Sequence, residues 1–216
     1  MVTGQAQELT ARVVAPGEME DVVRRLAGGP HAMVAASMRT RELTALARAS
    51  GGAFELLIPS ESDARLISGP AARLGAELVG LITTLEQATG ATPPDEPPPA
   101  VDMPPLAPGE LLALAEVIRE GDSERLDAAL EELEMPGLPW WVTQFAWGAE
   151  AILTLQLTGG SGDGFATMLH LFTDGWGRLH ADADDDLTFQ PMTTIEVQAR
   201  VSAFAALLQE SSDGDD

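Results

Sequence analysis

Three histidines and a run of aspartates are the residues of this chain best able to do chemistry. The run His180-Ala-Asp182-Ala-Asp184-Asp185-Asp186 places carboxylates at alternate positions, as the first three ligands of a calcium loop require. The pattern then breaks. Leu187 stands where a calcium loop needs glycine for its turn, and Thr193 stands where it needs a bidentate glutamate. The spacing therefore reads as an exposed acidic turn between strands. His170 and His180 flank the Asp174-Gly175 hairpin signal, and a bulge between them would bring two imidazoles together for zinc. A two-residue turn at Asp174-Gly175 instead places Leu169 opposite His180, and nothing supplies a third ligand. A small metal-dependent hydrolase using His170, His180 and Asp182 is thus an alternative with an incomplete ligand set. No metal, cofactor or catalytic residue is assigned.

Nucleophilic chemistry has even less support. The chain contains no cysteine and no G-x-S-x-G elbow. The glycine-rich GGSGDG at Gly159–Gly164 lacks the Lys-Ser/Thr of a phosphate loop and sits between strands, so it reads as a hairpin turn. What remains is a set of recognition residues. Trp140, Trp141, Phe145 and Trp147 crowd one short segment, and Trp176 follows a hairpin tip. At helical spacing Trp140 or Trp141 shares a face with Phe145, and core filling accounts for at least two of these rings. Trp176 is expected to be the exposed one, an anchor of the kind enriched at binding hot spots.

Composition narrows the partner. Acidic residues number 34 against 12 basic ones, giving a net charge of -22 in 216 residues. Every basic residue is arginine, and tyrosine is absent along with cysteine. Most of the negative charge lies beyond residue 100. Such a surface repels phosphate backbones and anionic membranes, so nucleic acid and membrane insertion are excluded as expectations, and a protein partner is favoured. The absence of cysteine fits a reducing compartment. No basic stretch followed by an apolar run opens the chain, and no apolar run reaches the roughly 20 residues of a membrane span. A cytoplasmic protein is expected.

Elements that position these residues follow from periodicity. Met19, Val22, Val23 and Leu26 recur at helical spacing and are stopped by Gly28-Gly29-Pro30. Ala32–Met38, Phe54–Ile58 and Ala64–Ile67 read as strands, whereas Arg41–Ala49 fits helix or strand and residues 1–16 give little signal. Leu74, Leu78, Leu81, Ile82 and Leu85 form one face of a helix after Pro70. Eight prolines in residues 90–108 make a stiff connector. Two helices follow, Glu110–Glu120 and one capped by Asp122, then the aromatic segment Leu138–Gly148. Ile152–Leu157, Phe165–Thr173, Trp176–Ala181 and Leu187–Phe189 read as strands. Thr193 and Glu196 form a capping box for a last helix with Val197, Val201, Phe204 and Leu208 inward, and Ser211–Asp216 is an acidic tail.

The order repeats. Gly52–Ile82 and Gly175–Leu208 each run from glycine through two short apolar segments to a proline and an amphipathic helix. The expected fold is α+β: a pseudo-two-fold arrangement of two similar halves, with an antiparallel sheet and flanking helices. The expected boundaries are 1–89 for the first half, 90–108 for the connector, 109–209 for the second half and 210–216 for the tail.

Two segments, LTLQLTGGSGDGFATMLHLFTDGWGRL and LTFQPMTTIEVQARVSAFAALL, resemble the C-terminal half of EspG-type proteins, the cytosolic chaperones of type VII (ESX) secretion in actinobacteria. The first half, MVAASMRTRELTALARASGGAFELLIPSESDARLI with its proline, helix and crossover, fits the same pattern, so the resemblance covers about residues 18–209. The chain is shorter and more acidic than such proteins usually are. The resemblance implies a non-catalytic protein that binds the apolar tip of a helical PE–PPE-type substrate. It places the contact on Trp140, Trp141, Phe145, Asp163, Asp174, Gly175, Trp176 and Arg178. An immunity or adaptor protein that covers a basic partner is the remaining alternative.

Overall fold

The computed structural model describes residues 8–60, 63–96, 105–159, 164–181 and 183–213. It is an α+β fold with nine strands in one antiparallel sheet, ordered β1-β5-β4-β3-β2-β6-β7-β8-β9. The strands are β1 (Thr10–Val14), β2 (His31–Met38), β3 (Arg41–Ser50), β4 (Ala53–Pro59), β5 (Ala64–Pro70), β6 (Ala151–Thr158), β7 (Gly164–Phe172), β8 (Gly175–Ala181) and β9 (Leu187–Met192). The helices are α1 (Met19–Leu26), α2 (Leu74–Thr89), α3 (Pro108–Glu120), α4 (Ser123–Glu132), α5 (Trp140–Trp147) and α6 (Thr194–Asp213). Each run of four strands, β2–β5 and β6–β9, is followed by a helix, α2 or α6. The acidic tail expected from Ser211 is in part helix. Ser211 and Ser212 hydroxyls donate back to the Leu207 and Leu208 carbonyls, at 2.8 Å each, within α6.

The chain forms two compact units. The first comprises Met1–Leu85, Leu153–Thr167 and Gln198–Asp216. Here the register aligns Leu46, Leu57 and Leu66 across β3, β4 and β5. That row packs with Met19, Val22 and Leu26 of α1, which form the inner side of the helix, while Val23 stays exposed. The opposite side of the same strands carries Ala47, Leu56 and Ile67, all buried, so these strands are covered on both faces. The ambiguous Arg41–Ala49 is therefore strand. Ala45, Ala47 and Ala49 point to one buried face, and alanine's helix preference yields to pairing with two neighbours. On the helical side α2 and α6 approach closely at Gly75, where a Cβ would sit 3.7 Å from the Ser202 Cα. The Gln209 amide donates to the Ala71 carbonyl at 2.9 Å nearby.

The second unit comprises Glu86–Ile152 and Met168–Val197. Leu106 exchanges two backbone hydrogen bonds with Leu187, so the end of the proline-rich connector is pinned to β9. The Glu110 carboxylate accepts from the Ala107 amide at 2.8 Å and starts α3, and Gly121 ends it at φ 72°. The Asp122 carboxylate accepts from the Arg125 amide at 3.0 Å and caps α4 as expected. Thr193 and Glu196 form their reciprocal box, with the Thr193 amide donating to Glu196 at 2.7 Å and the Glu196 amide donating to Thr193 at 3.2 Å. The strand β1 and its pairing with β5, Thr10 opposite Ser68, have no counterpart in the sequence expectations.

Candidate binding surface

The aromatic residues of α5 are first of all packing residues. Trp141 is buried and stacks on Phe189 with centroids 4.8 Å apart and planes 13° apart. Trp140 makes T-shaped contacts with Phe172 at 5.9 Å and with Phe189 at 5.6 Å, the arrangement ring quadrupoles favour. Phe145 is half-buried and packs with the cluster of Leu111, Leu114 and Val142. These rings seat α5 on the face of β7, β8 and β9 that carries Phe172, Gly177 and Phe189.

Glycines make this seat possible. A Cβ on Gly177 would stand 1.8 Å from Phe189 Cζ, so the ring lies directly on the backbone. A Cβ on Gly175 would meet Trp140 Cη2 at 3.6 Å. The hairpin turn is consequently Thr173-Asp174, not Asp174-Gly175: Gly175 already pairs with Phe172, and Trp176 with Leu171.

Trp176 is fully buried, which overturns its expected exposure. It points to the face opposite Gly177, where its Nε1 donates to the Glu86 carboxylate at 2.7 Å. The Thr194 hydroxyl donates to the same oxygen at 2.7 Å. A buried indole N–H needs such an acceptor. That acceptor is supplied 90 positions away along the chain, beyond the reach of local pattern.

The exposed tryptophan is Trp147, at 61% exposure. It is the last residue of α5, before Gly148 at φ 88°. One turn earlier Gln144 donates to the Asp174 carboxylate at the hairpin tip. The Thr173 hydroxyl donates to Glu150 at 3.3 Å, and the Glu150 amide donates to the Leu171 carbonyl at 2.7 Å. The end of α5, the segment to Glu150 and the β7–β8 tip are thus tied into one surface bearing two carboxylates and an indole. Met168, at 54% exposure, lies two residues before His170 on β7. Arg178 is half-buried on β8, opposite Gln190. Asp163 and Asp182 lie outside the described residues.

The histidines do not form a pair. The register sets His170 opposite Gly177 and His180 opposite Thr188. The His180 Nε2 lies 3.2 Å from the Gln190 amide oxygen. His170 is buried, stacked on Phe172 with centroids 6.2 Å apart, and its Nδ1 has no hydrogen-bond partner among the described residues. Burial holds its pKa below the ordinary imidazole value, keeping it neutral. Among the described residues, no three His, Cys, Asp or Glu side chains gather as a metal site, and no helix is long and apolar enough to cross a membrane.

Residue type and spacing do not single out Gln144, Glu150 and Thr173, and they name Trp147 only as one ring of the aromatic cluster. Trp147 follows Trp140 by seven positions, which on a helix is almost the same face. Periodicity alone would bury it with Trp140.

No family model matches the chain, and no curated protein matches it. Among solved structures, the Mycobacterium tuberculosis type VII secretion system chaperone EspG5 in complex with the PE25-PPE41 dimer is similar, at 13% identity and a TM-score of 0.46, over 80% of this chain and 70% of that one.

Proposed function

We propose that the chain is a non-catalytic, cytosolic binding protein that shields the apolar tip of a helical PE–PPE-type partner, as a secretion chaperone does. The observation that carries this reading is Trp147: a large indole left 61% exposed, on a helix whose other two tryptophans are committed to packing. Its neighbours Glu150 and Asp174 are braced by hydrogen bonds from Thr173 and Gln144, so the surface around it is preorganised. An exposed indole provides the anchor that a partner helix buries, and the carboxylates provide steering and register. The D-G-W-G-R turn and the L-T-F-Q-P strand, which carry the resemblance to EspG-type chaperones, fold here as β8 and β9 beneath α5. They form the support of the surface, while the contact itself falls to the tip and to Trp147.

Co-expression with PE–PPE pairs from the native host tests this. The expected result is a stable complex weakened about 30-fold or more by Trp147→Ala, as removal of a tryptophan hot spot does. The same variant keeps the thermal midpoint of the parent, because Trp147 packs on none of the described rings. A complex unaffected by Trp147→Ala and by Asp174→Arg overturns the assignment of the surface. Capture of a basic toxin in place of a helical pair overturns the assignment of the partner.

A further inference from the structure

The first compact unit contains a cavity of about 320 Å³ lined by Arg25, Arg48, Ser50, Ala53, Phe54 and Glu55. We propose that it is a carboxylate-binding site. Its construction starts with the β3–β4 hairpin. Gly51 and Gly52 turn at φ 57° and 75°, which sets Ser50 opposite Ala53 and Arg48 opposite Glu55. Arg48 and Ser50 therefore lie on the same side of β3, facing the C-terminal end of α1. Arg48 Nη1 donates to the Arg25 carbonyl at 2.8 Å, which fixes the guanidinium against the helix end. Gly29 permits this: a Cβ there would come within 3.3 Å of Arg48 Nη2. Arg25 reaches the same region from α1 and is paired with Glu55.

The cavity brings two arginines together in an acidic molecule. The chain has twelve arginines against 34 acids, and Arg12, Arg24 and Arg125 are all spent on neighbouring carboxylates. Among the described residues Arg48 makes no ion pair; its guanidinium donates to a backbone carbonyl. A guanidinium carries five N–H donors in a fixed planar fork, so most donors of the two arginines have no acceptor among the described residues. Two arginines and one glutamate leave the cavity with a surplus of one positive charge. That surplus matches a monoanion. A doubly charged phosphate would meet Glu55 and the field of a chain of net charge -22. The planar fork and the Ser50 hydroxyl fit the two oxygens of a carboxylate. The ligand class is a carboxylate, either of a small organic acid or of a polypeptide C-terminus.

The test is a titration of the arginine Nε–H signals by nuclear magnetic resonance, on the full chain. The probes are sodium acetate, a short peptide with a free C-terminus, the same peptide C-amidated, and inorganic phosphate. Acetate and the free peptide are expected to shift the Arg25 and Arg48 signals saturably. A peptide at least about 10-fold tighter than acetate identifies a chain terminus as the source; equal affinities identify a small acid. Arg25→Gln, whose side chain is half exposed and whose partner is Glu55, is expected to weaken binding by about 10-fold or more. Glu55→Gln, which removes the competing carboxylate, is expected to tighten it. Circular dichroism on each variant checks that the fold is kept. The proposal is overturned if neither acetate nor the free peptide gives a saturable shift, if the amidated peptide binds as well as the free one, or if phosphate binds more tightly than acetate.

Discussion

Gly177→Ala is the sharpest perturbation the structure offers. The added methyl would stand 1.8 Å from Phe189 Cζ, 2.3 Å from Cε2 and 2.7 Å from Cε1, so the ring must leave its place. It has nowhere easy to go. Trp141 stacks on it at 4.8 Å, and Trp140 and Phe172 hold it at 5.6 and 6.0 Å. Overpacking of this kind costs about 1–3 kcal/mol, which for a chain of this size lowers the thermal midpoint by about 2–12 °C. Gly80→Ala is the control. Gly80 lies within α2 with open space around its Cβ position, so the same change there is expected to stabilise by about 0.4–1 kcal/mol through the unfolded chain. Urea unfolding followed by circular dichroism reads both. A double-mutant cycle isolates the contact: in a Phe189→Leu background the cost of Gly177→Ala should fall by at least about 0.5 kcal/mol. Equal costs in the two backgrounds, or no cost in either, would refute the stacked-ring account of how α5 is seated.

Other perturbations probe the same unit. Glu86→Ala leaves the buried Trp176 N–H without its acceptor and is expected to cost about 1–3 kcal/mol in urea unfolding; Glu86→Gln, which keeps an oxygen there, should cost clearly less. His170 gives a pH dependence. Its folded pKa is depressed by burial below the ordinary 6.5, so below that value the unfolded chain takes up a proton that the folded chain resists. The stability it contributes is full above about pH 6.5 and is lost as pH falls towards the folded pKa. The parent should therefore lose more stability than His170→Gln between about pH 7.5 and pH 5.5. Parallel pH profiles of the two proteins would exclude a buried neutral imidazole.

Local chemistry was legible and non-local chemistry was not. The capping box Thr193-Glu196, the cap at Asp122, the stop at Gly121 and the inward stripe Val197, Val201, Phe204 and Leu208 depend on residues a few positions apart, and they fold as their types dictate. The alternation of β2 and β6 is equally local. Other features needed partners distant in sequence. β1 is a strand because β5 supplies its hydrogen bonds, Thr10 lying opposite Ser68. β3 is a strand because β2 and β4 flank its alanines. The β7–β8 turn falls one residue earlier than the Asp-Gly signal because Gly175 and Gly177 are needed beneath Trp140 and Phe189.

The candidate surface divides in the same way. By itself the sequence determined that aromatic residues cluster on a short helix beside a hairpin, in a strongly acidic chain with no sulfur nucleophile. Only the tertiary structure decided which indoles are buried. Trp176 is inside because Glu86, far away in the chain, accepts its N–H; Trp141 is inside and Trp140 half-buried because Phe172 and Phe189 meet them. Trp147, on nearly the same helical face as Trp140, stays in solvent. Helical periodicity specifies direction around an axis, whereas burial depends on what lies in that direction, and that is set by strands paired from elsewhere in the chain.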